Sequence, residues 1–451
     1  MDGVEAATAA GERLETRTDR RTLIGGMIGM FVDSFDIYLP AFVLPAALSY
    51  FIPPTLPTSV QATLGTLIFT VTLLGRPLGS LFMGHLGDKY GRRYVALVAG
   101  GGFSLFTLLV ALLPGYASWG YVSVALMILI RLLAGMCLAG GYAGPVPLAI
   151  ERASKQQRGL VAGLVAMPAG LALLVLTLIN VLISSTLPHA AFVAWGWRLP
   201  FFLGVLMGVG YLAYFARVPE LQAAVEARQR GERREPLKEF FRRGQGRTLF
   251  SVFLLTSGFW LASQPVLSFT PTLLITVLHQ PPKLVSQFEF WINVPGLLLI
   301  VLYPMLSQKI GRRRLLMAMG TWFVVLSGPA YYLMIHLAQT HAPGPWIWVV
   351  GWIAFALTAN PFGVLLLYLA ERFPIHLRAS GVAIPYQFGL LLPSLYSFWL
   401  LFLSHLVPYV YAVLVLIGLG GVGLLAAALI SPETRDWPMF REEEIPATAS
   451  Q

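Results

Sequence analysis

Four charged side chains stand inside stretches that are otherwise apolar: Asp33 and Asp36 in VDSFDIYL, Arg76 in LLGRPLGS, and Arg131 in MILIRLLAG. The aspartates are three residues apart, which on a helix sets both on one face. Two carboxylates that close in a low dielectric repel. One of them therefore binds a proton more readily than an isolated aspartate would, and the two titrate as a coupled pair. Arginine keeps its charge and offers a planar fork that fits a carboxylate. With both aspartates ionised the four charges sum to zero, so an arriving carboxylate adds a negative charge that one proton cancels. The chemistry expected is proton uptake coupled to capture of an organic anion. Asp33, Asp36 and Arg131 would handle the proton, and Arg131 and Arg76 would hold the anion. The competing reading is structural, with Asp33 or Asp36 merely pairing with Arg76 to hold helices together.

Neutral polar residues could complete a cavity around these charges. Tyr38, Tyr142, Asn360, Tyr386 and Gln387 are the candidate substrate contacts, and Asn180, Trp260, Gln264 and Asn293 extend the set. Each alone is equally suited to a packing hydrogen bond between helices. Glu289 and Lys283, at the start of an apolar run, are expected at an outer interface. The sequence contains no nucleophile-base-orienter set, no metal cluster and no phosphate loop, because Gly100-Gly101-Gly102 lies inside an apolar run without a preceding strand. An enzyme is therefore not expected, and no cofactor other than the coupling proton. The single cysteine, Cys137, excludes an internal disulfide and reads as a small packing residue.

The elements that must position these groups follow from composition. The chain has 451 residues, 57% hydrophobic and 12% charged, where a soluble domain carries roughly 25% charged. Apolar runs of about 20 residues recur, the length that crosses a bilayer as a helix. They start near Thr22, Gln61, Tyr94, Tyr121, Gly159, Leu199, Thr248, Val285, Leu315, Pro345, Ala379 and Val407. Each must be helical, since backbone groups in hydrocarbon have no water to bond. The net charge of +10 marks topology and not nucleic-acid binding: all but Arg76, Arg131, Arg198 and Lys283 of the 31 Lys and Arg fall in alternate loops and the termini. The positive-inside rule then puts both termini in the cytoplasm. Residues 1–21 are polar, with no removable signal peptide. The expected division is a tail over 1–21, a six-helix bundle over 22–217, a linker over 218–247, a second bundle over 248–431 and a tail over 432–451.

The two bundles read as copies. Gly91-Arg92-Arg93 recurs as Gly311-Arg312-Arg313, and Glu151-Arg152 with Arg158 recurs as Glu371-Arg372 with Arg378, both shifted by the same number of residues. Pro219-Glu220 and Pro432-Glu433 close the sixth and twelfth runs alike. Repeats of this kind place a substrate site between them.

The stretch GHLGDKYGRR, Gly84 to Arg93, resembles the signature loop of the major facilitator superfamily. The resemblance implies a fold of twelve transmembrane helices, all-α, in two six-helix bundles related by a pseudo-two-fold axis. It also implies a conformational latch built from Gly84, Asp88, Gly91, Arg92 and Arg93, with Glu151, Arg158, Glu371 and Arg378. Glycines would let the loop turn tightly. The second copy, SQKIGRRR, lacks the aspartate, so a weaker latch is expected there. Within the superfamily, Arg76-Pro77-Leu78-Gly79, Trp195 to Phe201 and the acidic pair of the first helix resemble the metabolite:proton symporters, whose members carry citrate and other dicarboxylates, shikimate, proline and betaine. The chain departs from that family in its fourth helix, where Ala139-Gly140-Gly141-Tyr142 lacks the usual glutamate. The function this implies is proton symport of a small carboxylate or zwitterion by a monomer in the inner or plasma membrane. A proton-coupled exporter, suggested by the partial antiporter signature GLVAGLVAMPAG, and a facilitative uniporter are the alternatives.

Overall fold

The computed structural model describes residues 24–90, 92–139, 150, 153–217, 246–340, 342–358, 361–373, 382 and 385–437. Among these there is no strand. Eleven helices are long and apolar enough to cross a bilayer: α1 Ile24–Phe51, α2 Thr58–Tyr90, α3 Arg92–Leu112, α4 Tyr121–Leu138, α5 Arg158–Thr186, α6 His189–Phe215, α7 Gly246–Val277, α8 Pro282–Ile310, α9 Arg312–Gln339, α11 Pro385–Leu403 and α12 Tyr409–Ile430. The tenth apolar run differs from expectation. It gives a 15-residue helix, α10a, Gly344–Thr358, and a second segment, α10b, Phe362–Arg372, capped by Pro361. A proline has no N–H for the preceding turn, so it starts a helix more readily than it continues one.

Proline shapes other spans too. In α1 it tightens the chain into a 3₁₀ turn over Leu44–Ala47, with Pro45 in that turn. In α7, widened turns over Pro265–Phe269 and Leu273–Val277 flank Thr270–Thr272. The widened turns absorb the missing donors of Pro265 and Pro271.

Helices α1–α6 form one half and α7–α12 the other. Inside the first half, α2 and α4 meet backbone to backbone: a methyl group on Gly135 would overlap the Thr72 carbonyl, and one on Gly79 the Met136 carbonyl. Small residues permit this approach where lipid offers no hydrophobic drive. The halves meet along two seams. On one, Gly159 and Gly163 of α5 lie against Pro304 and Val301 of α8, where an added Cβ would come within 2.6 Å and 2.7 Å of backbone atoms. On the other, Thr70 of α2 hydrogen-bonds Ser397 of α11 at 2.9 Å. Cys137 packs against Gly102, whose missing side chain leaves it room.

The signature stretch is not a loop over its first part. Helix α2 continues through Gly84 and Asp88 to Tyr90, and α3 starts at Arg92, which leaves Gly91 alone for the turn. Gly91, Tyr142, Glu151, Asn360 and Arg378 lie outside the described residues, as do the side chains of Gly84, Asp88, Arg92 and Arg93.

Candidate functional site

Close packing of α2 on α4 carries Arg76 and Arg131 toward α1, and the four intramembrane charges resolve into two ion pairs. Arg76 Nη2 donates to both oxygens of Asp33, at 2.9 Å and 3.0 Å. Arg131 Nη1 donates to Asp36 Oδ2 at 3.1 Å, Nη2 to the Asp36 carbonyl at 3.0 Å, and Nε to Thr72 Oγ1 at 3.1 Å. Thr107 Oγ1 donates to the other Asp36 oxygen. The expected zero sum of charge is present in the geometry. The expected arrangement of two facing aspartates is not: each carboxylate has its own guanidinium.

Of these four groups, Arg76 alone lines the space between the halves. A cavity of about 70 Å³ is lined by both halves, including Tyr38, Arg76, Gly170, Trp260, Asn293 and Tyr386. Arg76 is thus the guanidinium on the wall. Arg131 and Asp36 do not line the cavity, and Arg131 is fully buried in its own contacts. In this conformation Arg131, expected to hold the substrate, is committed to Asp36 and Thr72 and stands off the cavity wall.

The neutral candidates divide in the same way. Tyr38, Tyr386, Trp260, Gln264 and Asn293 line the cavity, and Tyr386 stands edge-on to Trp260 with ring centroids 6.4 Å apart. Gln387 is buried off the cavity wall, its Oε1 without a hydrogen-bond partner among the described residues. Asn180 donates to the Phe42 carbonyl at 2.9 Å and ties α5 to α1, a packing role. Glu289 is not at an interface. It is 2% exposed, whereas Lys283 is exposed.

At the end of the molecule where the arginine motifs gather, the two halves are bonded together. Arg312, fully buried, is the centre. Its Nη2 and Nε donate to Glu371 at 3.1 Å and 3.2 Å, and its Nη1 to Ser307 at 2.8 Å. Glu433 accepts from the backbone N–H of Arg312 at 2.8 Å and of Arg313 at 3.1 Å, capping the start of α9 where the helix leaves its first donors free. Gly311 makes this possible, with φ at +104° and no side chain to fill the place of the Glu433 carboxylate. The second motif copy, lacking an aspartate, draws its carboxylates from Glu371 and Glu433.

The first half joins through Arg158, which lies 4.0 Å from Glu371 and donates to the Trp437 carbonyl at 2.9 Å. Gln308 donates to the Lys155 carbonyl at 2.8 Å, and Lys155 pairs with Asp436 at 3.0 Å. Lys155 and Arg435 beside it hold the Asp436 carboxyl below the usual carboxylate range. Arg158 and Glu371 were legible from the repeat. The roles of Thr434 and Trp437 were not, because they follow the twelfth run in a polar tail with no pattern. Thr434→Val keeps the shape but removes a hydrogen bond to Glu371 made at 2.8 Å. A hydrogen bond to a charged group contributes about 1.5–3 kcal/mol. The variant should melt at a lower temperature in detergent, and an unchanged midpoint would show that this bond contributes nothing.

At the opposite end the halves also touch. Thr63 of α2 and Tyr409 of α12 are 3.3 Å apart, and the Tyr409 ring meets Phe269 of α7. Arg198 donates to Tyr50 at 2.7 Å and lies over the ring of the fully buried Trp197. The Trp195 to Phe201 stretch thereby fastens α6 to the end of α1 and plays no part in the cavity.

Known proteins share this arrangement. A family model described as the Major Facilitator Superfamily matches residues 26–386. The proline/betaine transporter of Escherichia coli (strain K12) is 26% identical over 436 residues, covering 93% of this chain and 85% of its own length. The citrate-proton symporter of Salmonella typhi is 25% identical over 385 residues, covering 81% and 84%. Among solved structures, a D-xylose-proton symporter superposes with a TM-score of 0.71 at 19% identity, covering 94% of this chain and 98% of that one. With its helices in two halves about a central cavity and a family match over most of its length, the chain belongs to the Major Facilitator Superfamily and is a multi-pass membrane transporter, not an enzyme.

Proposed function

We propose that the protein is a proton-coupled symporter that imports a small organic anion, or a zwitterion bearing a carboxylate, by alternating access. The observation that carries this reading is Arg76, which lines the cavity while bonded to Asp33. A substrate carboxylate competes with Asp33 for the same guanidinium, since the fork fits either. The displaced Asp33 is then an uncompensated carboxylate in a low dielectric, and it takes up a proton. Charge in the membrane stays balanced. Loss of that proton to the opposite side lets Asp33 reclaim Arg76 and expel the cargo.

Proline, betaine and citrate, the cargoes named for two relatives, all carry a carboxylate. Tyr38, Trp260 and Tyr386 would shape the pocket, and the Arg312–Glu371–Arg158 network would latch the arginine end while the cavity opens opposite. The excess of Lys and Arg in alternate loops makes that end cytoplasmic, in a cell inner or plasma membrane, with both termini inside. The carrier works as a monomer, because the cavity is completed by the two halves of one chain.

Purified protein in sealed vesicles, offered labelled carboxylates, aromatic acids and betaines, should take up at least one faster when the interior is made alkaline. Indifference of every cargo to the gradient would make the protein a uniporter instead.

A further inference from the structure

Helix α8 presents one face to the cavity through Ile292, Asn293, Gly296 and Ile300. Glu289 lies three and four residues before the first two, so it continues the same face one turn away from the arginine end, about 6 Å along the axis from Asn293. The Asn293 side chain donates to the Glu289 carbonyl at 2.8 Å, locking the two turns together. The Glu289 carboxyl is 2% exposed, and neither of its oxygens has a hydrogen-bond partner among the described residues.

The elements packed on α8 bring it no counter-charge. Helix α10a has no ionisable residue. Arg158 of α5, Arg312 to Arg314 of α9, and Glu371 and Arg372 of α10b all sit at the arginine end, about 30 Å down the helix. Arg247 begins α7, the same end. On α8 itself, Lys283 is exposed, Lys309 lies in the last turn at the arginine end and Tyr303 donates to Ala356, while His279 of the turn before α8 and Tyr332 and His336 of α9 are exposed. Tyr331 of α9 is bonded to Thr270, and at the cavity Arg76 is bonded to Asp33. An ionised carboxylate shut away from water without a partner is costly enough that such a group neutralises instead.

We propose that Glu289 is a second proton-binding site, in the half that brings only neutral groups to the cavity wall, and that it carries a proton while the halves are closed on the cavity. The proton is gained from water as an O–H bond and returned to water when this face of α8 is opened. For its part in transport this rests on the symport reading; the site itself does not.

The test is infrared difference spectroscopy of wild type and Glu289→Gln in lipid, with pH stepped and no substrate present. Wild type should show a carboxylic-acid C=O band, lost on alkalinisation and absent from Glu289→Gln. The proton-to-substrate flux ratio should then fall by one proton per cargo molecule in the variant. The same band in both proteins, or an unchanged flux ratio, would overturn the proposal. If Glu289→Gln does not reach the membrane, Glu289→Asp serves, and a band that keeps its position in that variant overturns it equally. Were wild-type uptake to ignore the pH gradient, the symport reading would fail, and the infrared comparison would still decide the proton on Glu289.

Discussion

Asp33→Asn is expected to weaken coupling without disabling the carrier. The amide keeps the shape of the carboxylate and can still accept a hydrogen bond from Arg76, so the α1–α2 contact at 2.9 Å persists in weakened form. What it cannot do is bind and release a proton near neutral pH. With the proton of Asp33 gone, the coupling free energy falls by that proton's share, so under a gradient of about one pH unit the accumulation ratio should drop about tenfold, to what the proton on Glu289 sustains. The same change removes the anionic competitor for Arg76. Hydrogen bonds to charged groups contribute about 1.5–3 kcal/mol, so cargo should bind at least about tenfold more tightly. Counterflow in preloaded vesicles reads the binding, and gradient-driven uptake reads the coupling. Accumulation by Asp33→Asn equal to that of the wild type would show that Asp33 carries no coupled proton.

Arg131→Ala should act on stability first. It strips Asp36 of its only guanidinium and leaves a carboxylate buried with Thr107 as its side-chain donor. Breaking a buried pair from one side costs about 3–5 kcal/mol, whereas replacing both partners by apolar groups of similar volume is often neutral. A double variant, Asp36→Leu with Arg131→Met, should therefore recover most of the lost melting temperature. Because neither side chain lines the cavity and their side-chain partners Thr107 and Thr72 do not either, it should also keep gradient-driven uptake. If the double variant is stable yet uncoupled, Asp36 and Arg131 belong to the proton path as the sequence alone suggested.

The legible part of the fold was the part set by solvent. Long apolar runs must be helices in a bilayer, and a repeated GRR and ER motif at one offset requires two copies. The tenth span was misjudged only in continuity, since Pro361 lies in a run whose apolar character does not stop where the helix does.

Within the site, residue type announced the four charges, but spacing misled about who meets whom. Asp33 and Asp36 share a helix face, yet a face three residues wide is broad enough to address two neighbours, α2 and α4. Which arginine reaches the cavity was decided by the depth at which Gly135 lets α4 sink against Thr72, a tertiary quantity. Glu289 was misplaced for a simpler reason. Seven residues from the start of a helix looks like an interface, and the sequence does not reveal that neighbouring helices extend far enough to cover it.

The segment from Ser431 to Trp437 has a consequence for how such a carrier can be tuned. It touches no part of the cavity, yet it bonds to both halves: to Glu371 through Thr434, to α9 through Glu433, to Arg158 through Trp437 and to Lys155 through Asp436. Any separation at that end must break the last two contacts, whatever the cargo. Were the halves to part at that end during transport, turnover speed would depend on seven residues that cargo choice does not see, and the two properties could be altered separately.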